Sequence, residues 1–412
     1  MKTKYFLNGL TRAFFIAAAI IAIARLSSAQ TWVQQNSNTT NTLHSVYFTD
    51  NQKGFAVGDA GTIRYTLNGG QTWLSITGLT NEDLHDVSFL SPSIGIIVGD
   101  NGRIFRTING GTTWVQLTSG TTSNLETVSF GVGEMIYAAG RDGIILRSTN
   151  AGVNWLTVAS GTIRYRGSAA KTTLKAWIVG DGGVIRISNN SGGSFSPQTS
   201  NTGSDLHNIF MLTELIGYIG GQNSTILYTS NGGTQWTSRN SGINQGIDGI
   251  HFSNTNTGWA VGNAGAVYKT SNAGINWVTE TSNTTNELND VYFPDINRGW
   301  AVGVNGTIIY RAGTIGIINI SGIAPDEFSI SQNYPNPFNP TTNIEFNIAE
   351  NGFVSLKVFD ITGKEISNLV NENLQRGTYK VDWSAAGLTS GVYFYTLKTA
   401  SYSETKKMML VK

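Results

Sequence analysis

Short runs of the form Leu-x-x-Val-x-Phe recur along the chain, and each alternates large apolar side chains with polar ones. The runs are Leu43–Phe48, Leu84–Phe89, Leu125–Phe130, Leu206–Met211, Ile247–Phe252 and Leu288–Phe293. Apolar residues at every second or third position, rich in valine and aromatic residues, favour a buried β-strand. The pattern therefore predicts a series of similar β units.

Two further features recur at the same spacing. A glycine turn returns at residues 58, 99, 140, 180, 220, 262 and 303, and a large aromatic residue returns at residues 32, 73, 114, 155, 195, 236 and 277. Each step is 40 to 42 residues. A single period of about 40 residues in a β-rich sequence is typical of a β-propeller.

Each unit carries four strand signals and two turn signals. The second strand runs into the glycine, as in Gly54–Val57, and the third follows a turn such as Asp59-Ala60-Gly61, where glycine can take a positive φ. The turn before the fourth strand pairs an asparagine with the large aromatic residue. Its six copies are Asn68 with Trp73, Asn109 with Trp114, Asn150 with Trp155, Asn190 with Phe195, Asn231 with Trp236, and Asn272 with Trp277.

The ends of the repeat region complement one another. Trp32 precedes the first complete unit, whereas the last unit, Leu288–Arg311, has three strands and no aromatic after Tyr310. The strand that carries Trp32 can therefore complete the last blade, which predicts seven blades closed in a one-plus-three manner. Closure protects the sheet edges from aggregation. The fourth unit departs from the pattern because Arg164–Ala170 replaces the apolar strand.

The asparagine turns resemble Asp-boxes, S-x-D-x-G-x-T-W, also called BNR repeats, of sialidases, sortilin-type receptors and xyloglucanase-type glycosidases. The full repeat, over residues 30–312, is most similar to photosystem II assembly and stability factors. The resemblance implies that the boxes are structural. Every box here has Asn in place of the Asp, which disfavours a calcium site.

Composition changes after Arg311. Four of the seven prolines fall in residues 325–340, after a predicted linker at 313–323. Alternating runs at Thr342–Ile348, Val354–Asp360, Gly377–Trp383, Gly391–Thr399 and Ser403–Val411 predict a small Ig-like β-sandwich over residues 324–412. The predicted fold class is thus all-β, a seven-bladed β-propeller followed by a β-sandwich.

The tail resembles the type A C-terminal sorting domain of the type IX secretion system. The matching segments are Tyr334–Pro340, Val358–Asp360 with Gly363, Gly391–Phe394 and Lys407–Lys412. The resemblance implies that residues 324–412 engage the type IX machinery, and that the product is secreted or displayed at the cell surface after removal of the tail.

The amino terminus has the pattern of a secretory signal peptide. Residues 1–12 are basic, Ala13–Ala24 is apolar, and Ser27-Ser28-Ala29 predicts cleavage before Gln30. The competing interpretation is a membrane anchor, but twelve helical residues would span only about 18 Å of a ~30 Å hydrocarbon core. We therefore expect a signal peptide at 1–29 and no transmembrane span in the mature chain.

Composition narrows the possible functions. Cysteine is absent, which excludes disulfides and thiolate metal sites. The net charge is +1 and no basic stretch suggests nucleic-acid binding. We predict no cofactor.

Alignment of the repeats places a polar residue at the start of the innermost strands, with further polar residues beside it, around the mouth of the central channel. The candidate ligand-binding residues of this funnel are His44, His85, Asp86, Glu126, Arg166, His207, Asp248 and Asp290. Asp59, Asp100, Arg141, Asp142 and Asp181 should point toward the same face. The competing interpretation is a polar lining of a water-filled channel. A metal site is disfavoured because unit 5 lies across the ring from units 1 and 2.

The sequence predicts no catalytic residues, because no nucleophile elbow, zinc-protease motif or phosphate-binding loop is present. We expect a secreted or surface-exposed binding or scaffold module with an unknown protein or glycan ligand at the propeller face. The alternative is an Asp-box glycoside hydrolase acting on extracellular polysaccharide, since paired carboxylates at the turns remain possible. A third possibility is an inert adhesion or surface-layer component.

Overall fold

The computed structural model describes residues 32–296, 298–312, 318–321, 325–385 and 388–411. The predicted signal peptide and its cleavage site lie outside these residues. Within these ranges, none of the helices has the length and apolarity needed to cross a membrane.

Seven four-stranded antiparallel sheets form the repeat region, which confirms the predicted propeller. In blades 1 to 6 the strands are consecutive in the chain. Blade 1 consists of β2 (Leu43–Phe48), β3 (Gly54–Gly58), β4 (Thr62–Thr66) and β5 (Leu74–Ile76), and blade 2 of β6 (Leu84–Phe89), β7 (Gly95–Gly99), β8 (Ile104–Thr107) and β9 (Val115–Leu117). Blade 3 consists of β10 (Leu125–Phe130), β11 (Ile136–Gly140), β12 (Ile145–Ser148) and β13 (Leu156–Ala159), and blade 4 of β14 (Tyr165–Ala170), β15 (Ala176–Gly180), β16 (Val184–Ser188) and β17 (Ser196–Gln198). Blade 5 consists of β18 (Leu206–Met211), β19 (Gly217–Gly221), β20 (Thr225–Thr229) and β21 (Thr237–Ser238), and blade 6 of β22 (Ile247–Phe252), β23 (Gly258–Gly262), β24 (Val267–Thr270) and β25 (Val278–Glu280).

Single 3₁₀ turns join the second and third strands of five blades. They are Asp59–Gly61, Asp100–Gly102, Asp181–Gly183, Asn263–Gly265 and Val304–Gly306. The last two residues of each turn have a positive φ, as in Ala60 and Gly61. At Gly61 an added Cβ would lie 2.0 Å from the Thr80 carbonyl oxygen, so glycine is required there by space as well as by conformation.

Blade 7 is closed by the first strand of the chain. It consists of β26 (Leu288–Tyr292), β27 (Arg298–Gly303) and β28 (Ile308–Ala312), with β1 (Trp32–Gln35) antiparallel to β28. Trp32 faces Arg311 in this ladder. The ring therefore has the predicted one-plus-three closure, and the two ends of the propeller region share one sheet.

Trp32 is fully buried between blades 6 and 7. Its ring contacts the Phe293 ring edge-on, with centroids 5.8 Å apart, and its Nε1 donates to Glu280 Oε2 at 3.0 Å. The Arg311 guanidinium donates to both oxygens of the same carboxylate, from Nε at 2.9 Å and from Nη2 at 3.0 Å. Three side chains from the two ends of the ring and from blade 6 thus form one buried cluster.

The asparagine boxes are hydrogen-bonded turns of one design. Asn68 Oδ1 accepts from the Thr72 backbone N–H at 3.0 Å, while Thr66 Oγ1 accepts from the Gly70 N–H at 2.8 Å. The other five boxes repeat both bonds. Each bond satisfies a backbone donor inside the turn, as Asx and hydroxyl turns do.

The box aromatics fill the space between blades. Trp73 of blade 1 packs against Phe48 and against Trp300 of blade 7, and the Phe48 and Trp300 rings stack at 3.6 Å. Trp155 and Phe195 are only half-buried. The unusual fourth unit still forms an inner strand, β14, which pairs with β15 along its length.

The tail forms two four-stranded sheets around one apolar core. One contains β29 (Ile318–Ser321), β30 (Ser329–Ile330), β31 (Thr341–Ile348) and β34 (Gly377–Ser384); the other contains β32 (Gly352–Phe359), β33 (Glu365–Leu374), β35 (Gly391–Lys398) and β36 (Ser403–Leu410). Two features differ from the sequence prediction. Strand β29 lies inside the predicted linker at 313–323, where Ile318-Asn319-Ile320 alternates as a strand does, and strands β30 and β33 are absent from the sequence prediction.

Two distant segments of the tail meet at the end of the last strand. The Phe338 N–H donates to the Met409 carbonyl at 2.9 Å, and the Val411 N–H donates to the Phe338 carbonyl at 3.0 Å. Asn336 Oδ1 accepts from the Met409 N–H at 2.9 Å. The Pro-rich segment therefore covers part of the outer edge of β36, which would otherwise be an open template for strand pairing.

Ring closure gives a direct stability test. Replacement of Trp32 by Ala should lower the free energy of unfolding by about 3–5 kcal/mol, because it leaves a cavity between blades 6 and 7. Urea denaturation followed by tryptophan fluorescence and circular dichroism measures the loss. Val33 is the matched control on the same strand, since its side chain is 55% exposed. Equal losses for W32A and V33A would contradict the closure role.

Candidate functional site

A β-bulge at the same point of every innermost strand builds the mouth of the channel. In all seven blades the pairing with the second strand skips one residue, for example between Leu43 and Ser45. The skipped residues, which we call the mouth residues, are His44, His85, Glu126, Arg166, His207, Asp248 and Asn289. A bulge redirects the side chain of its unpaired residue. The polar positions aligned from the sequence are therefore the bulge positions, which sequence reasoning did not detect.

In four blades the mouth residue pairs with the turn of its own blade, and the Glu126–Arg141 pair of blade 3 is one of them. His44 Nε2 lies 2.6 Å from Asp59 Oδ1, and His85 Nε2 lies 2.7 Å from Asp100 Oδ1. The Arg166 guanidinium pairs with Asp181 in the same way. The His44 and His85 rings are neighbours, with centroids 5.3 Å apart. The turn residues thus hold the mouth residues in place.

The other half of the mouth is linked between blades. His207 Nδ1 lies 2.5 Å from Asp248 Oδ1 of the next blade, and Asn289 Nδ2 donates to the Leu43 carbonyl at 2.8 Å. His207 Nε2 and Asp248 Oδ2 are buried and have no hydrogen-bond partner within the described residues.

Blades 3 and 4 place three arginines on one side of the mouth, and two of them bind the same carboxylate. Arg141 Nε donates to Glu126 Oε1 at 2.9 Å, and Arg164 donates to both Glu126 oxygens at 3.0 and 2.8 Å. Arg166 occupies the mouth position of the adjacent blade 4, where it pairs with Asp181 and its Nη2 lies 4.0 Å from Asp205 Oδ2. Burial by itself would raise the pKa of Glu126, but the hydrogen bonds from Arg164 and Arg141 hold that pKa below its ordinary value. Glu126 therefore stays ionised and anchors a cationic patch.

Asp86 and Asp290 face neighbouring blades, one residue deeper than the mouth residues. Asp86 accepts from Ser45 Oγ at 2.8 Å and from the Val128 N–H of blade 3 at 2.7 Å. Asp290 accepts from the Val46 N–H of blade 1 at 3.0 Å. Loss of hydration raises the pKa of Asp86 to about 6 and that of Asp290 to about 7, against the lowering effect of these bonds. The Asp86 and Asp290 carboxyl groups therefore link the innermost strands of adjacent blades by hydrogen bonds.

Aromatic rings line the innermost strands two residues further along. Phe210, His251, Tyr292 and Tyr47 follow one another through blades 5, 6, 7 and 1, with ring centroids 4.5, 4.9 and 4.6 Å apart. In blades 2 and 3 the equivalent residues are Ser88 and Ser129. Loss of hydration, assisted by the charge of Lys171, lowers the pKa of His251 to about 3. The sequence analysis did not identify this row of aromatic rings, although its residues occupy the same position in each innermost strand.

The described residues contain no group of three or more His, Cys, Asp or Glu side chains placed to hold a metal ion. The mouth is accordingly a set of ion pairs and hydrogen bonds. It offers both charges within one ring: the guanidinium groups are confined to blades 3 and 4, whereas carboxylates also occur in other blades, as with Asp59, Asp100 and Asp248.

Two segments of the chain match known family models. Residues 75–162 match the photosynthesis system II assembly factor YCF48, and residues 332–412 match the secretion system C-terminal sorting domain. The chain thus carries a YCF48-like repeat segment and a secretion sorting domain. This confirms the resemblances drawn from the sequence. The sorting domain, of the type IX kind, indicates export to the cell surface or the extracellular space.

Solved structures support the same fold. A structure described as YCF48 bound to D1 peptide has a TM-score of 0.58 at 20% identity, over 68% of this chain and 96% of that one. YCF48 from Cyanidioschyzon merolae has a TM-score of 0.58 at 17% identity, over 68% and 98%. The WD40 β-propeller domain of Doa1 has a TM-score of 0.57 at 13% identity, over 69% and 97%. Among curated proteins, none matches the chain significantly.

The YCF48-like segment spans the outer strand of blade 1 and all of blades 2 and 3. It contains the mouth residues His85 and Glu126 together with Arg141. Because identities below 25% show the fold alone, the role of these residues does not follow from the comparisons.

The neutral His251 predicts a pH dependence with a defined sign. Folding lowers the pKa of His251, so the unfolded chain takes up a proton at a higher pH than the folded protein does. The free energy of unfolding is therefore unaffected by this group above pH 6.5 and decreases as the pH falls toward 3. The variant His251→Phe removes that loss. We expect the difference in free energy of unfolding, variant minus wild type, to increase by up to about 1.4 kcal/mol for each pH unit below 6.5.

Urea denaturation of both proteins at pH 7.5, 6.0, 5.0 and 4.5 measures this difference. Asp86 and Asp290 are present in both proteins, so their contributions to the pH dependence largely cancel. Parallel stability curves over this range would show that His251 titrates freely in the folded protein.

Proposed function

We propose that the protein is an exported binding module, and that the propeller mouth binds an extended polypeptide segment of a partner without turning it over. The sorting domain at residues 324–412 serves the route to that partner, through contact with the type IX secretion machinery. The observation that carries the proposal is the ring of mouth residues, where Arg141 and Arg164 bind Glu126 and the next blade contributes Arg166.

The arginine patch retains hydrogen-bonding capacity after its internal pairs are made. The Arg141 side chain is 50% exposed and that of Arg164 is 31% exposed. Glu126 occupies only Nε of Arg141 and two of the Arg164 nitrogens. A guanidinium presents five donors in a planar fork that suits a carboxylate. The free donors therefore favour a ligand carboxylate, such as a peptide carboxyl terminus or an acidic side chain.

The acidic residues of the mouth are engaged in ways that support binding rather than catalysis. Glu126 is held ionised by two arginines, so it is unsuited to act as a general acid at neutral pH. Asp86 and Asp290 have raised pKa values, but backbone N–H groups of adjacent blades occupy their oxygens. A glycosidase needs two carboxylates free to approach one bond.

The comparison with YCF48 supports the same proposal. One solved relative in fold is described as bound to a peptide, and its propeller aligns with most of this chain. The peptide named there belongs to that protein. What we transfer is only the idea that a propeller of this kind can hold an extended chain.

The arginine patch gives the decisive test. The double variant Arg141→Ala, Arg166→Ala should weaken binding of carboxylate-bearing peptides to the full secreted protein by at least about tenfold, since a hydrogen bond to a charged group contributes about 1.5–3 kcal/mol. Fluorescence anisotropy with a library of extended peptides, prepared with free and with amidated carboxyl termini, measures the loss. Arg147→Ala is the matched control, because Arg147 donates to the Ser191 carbonyl beside a box turn.

Binding that is unchanged in the double variant, or equally reduced in R147A, would overturn the assignment of the mouth. Release of reducing sugar from extracellular polysaccharides by the same protein would instead support the glycoside hydrolase alternative. Circular dichroism of each variant shows that the fold is intact.

A further inference from the structure

A second kind of site lies outside the mouth, over the outer half of the blades. In blades 1, 2, 4 and 6 a groove runs between the second-to-third turn, the outer strand and the loop to the next blade. The cavity volumes are about 220, 680, 370 and 710 Å³ in that order. Three of the four fall within the ~300–1,000 Å³ typical of small-ligand sites.

The four grooves share a polar lining but differ in charge. In blade 6 Glu280 lines the groove, and its carboxylate is already bound by Arg311. In blade 1 Arg64 lines the groove, but its guanidinium donates to Ser75 Oγ and to the Asn38 carbonyl. Glu280 and Arg64 are thus both engaged by other groups of the chain, although Arg64 Nε itself has no hydrogen-bond partner among the described residues.

Blade 2 is different because its arginine is unengaged. Arg103 lines the groove, is half-buried, and its side chain makes no hydrogen bond or ion pair with any described residue. Its Nε, like that of Arg64, is buried without an acceptor among the described residues, but Arg103 differs in that its terminal nitrogens are unengaged as well. Arg186 of blade 4 also has no ion-pair partner among the described residues, but its groove has about half the volume.

The remaining lining of the blade 2 groove is neutral and hydrogen-bonding. Asn101 and Gln116 contribute amides, and Thr118, Thr121 and Thr122 contribute hydroxyls. No acidic and no aromatic residue lines it. Amides and hydroxyls each offer donors and acceptors, which matches the vicinal hydroxyl groups of a sugar. The arginine adds a planar fork for a carboxylate or sulfate.

From this combination we propose that the blade 2 groove binds an anionic saccharide, in which a carboxylate or sulfate group meets Arg103 and sugar hydroxyls meet the threonine loop. The site is separate from the mouth and does not depend on peptide binding there. An exported protein meets such saccharides in extracellular polysaccharide. The groove would give it a second ligand of a different chemical class.

Isothermal titration calorimetry with the full secreted protein tests this. The probes are a galacturonate oligosaccharide, a sulfated carrageenan oligosaccharide, neutral maltotetraose and inorganic sulfate. We expect saturable binding of at least one anionic oligosaccharide, at least tenfold weaker binding of maltotetraose, and at least tenfold loss in R103A. R64A, in the equivalent groove of blade 1, should bind as the wild type does.

Three results would overturn the proposal: no binding of either anionic oligosaccharide, equal binding of maltotetraose, or wild-type affinity in R103A. Binding of sulfate alone as tightly as the oligosaccharides would show that the groove is only an anion site and would also overturn it. R103A should keep its affinity for peptides, and R141A/R166A should keep its affinity for saccharides. Failure of one site therefore leaves the other untouched.

Discussion

The antiparallel pairing of β1 with β28 is the contact on which the ring depends. It supplies the fourth strand of blade 7 and places Trp32 between blades 6 and 7. It also completes the environment of the Glu280–Arg311 pair, in which Arg311 is 1% exposed. A buried pair of this kind is stable only while both partners and their hydrogen bonds remain, because an unpaired buried charge is costly. Apolar packing and ion pairing therefore act at the same joint.

The repeated bulge explains how a uniform scaffold carries a varied mouth. The residue before the bulge residue and the second residue after it are buried in the blades and are apolar in nearly every repeat, as with Leu43 and Val46. The bulge residue itself takes no part in the ladder, so packing does not restrict its type. His, Glu, Arg, Asp and Asn all occur there. Variation confined to this position changes the charge pattern of the mouth at little cost to the fold.

Much of this architecture could be predicted from the sequence. The period fixed seven units, and Trp32 with the incomplete last unit indicated how the ring closes. The pairings at the mouth could not be predicted, because they depend on blade twist and rotamers. His44 pairs within its own blade, whereas His207 at the equivalent position reaches Asp248 of the next.

In the tail, strands β29 and β33 could not be predicted from the sequence either. Strand β33 escaped detection because Ile366, Leu369, Val370 and Leu374 follow no two-residue alternation. Its pairing with β32 contains two register shifts, which explains the irregular pattern. Strand β29 was assigned to a linker because it is short and separated from its partner β34 by most of the tail. A short edge strand has too few residues for its alternation to be recognised in the sequence.

The one-plus-three closure also sets an order of events for an exported chain. The first strand of the propeller, β1, pairs with its last strand, β28, and the Trp32–Glu280 bond spans 248 positions in sequence. Closing such a long loop costs conformational entropy before its contacts form, and folding slows as contacts become less local. Blade 7 therefore cannot be completed before β28 has been made available, however early β1 is present.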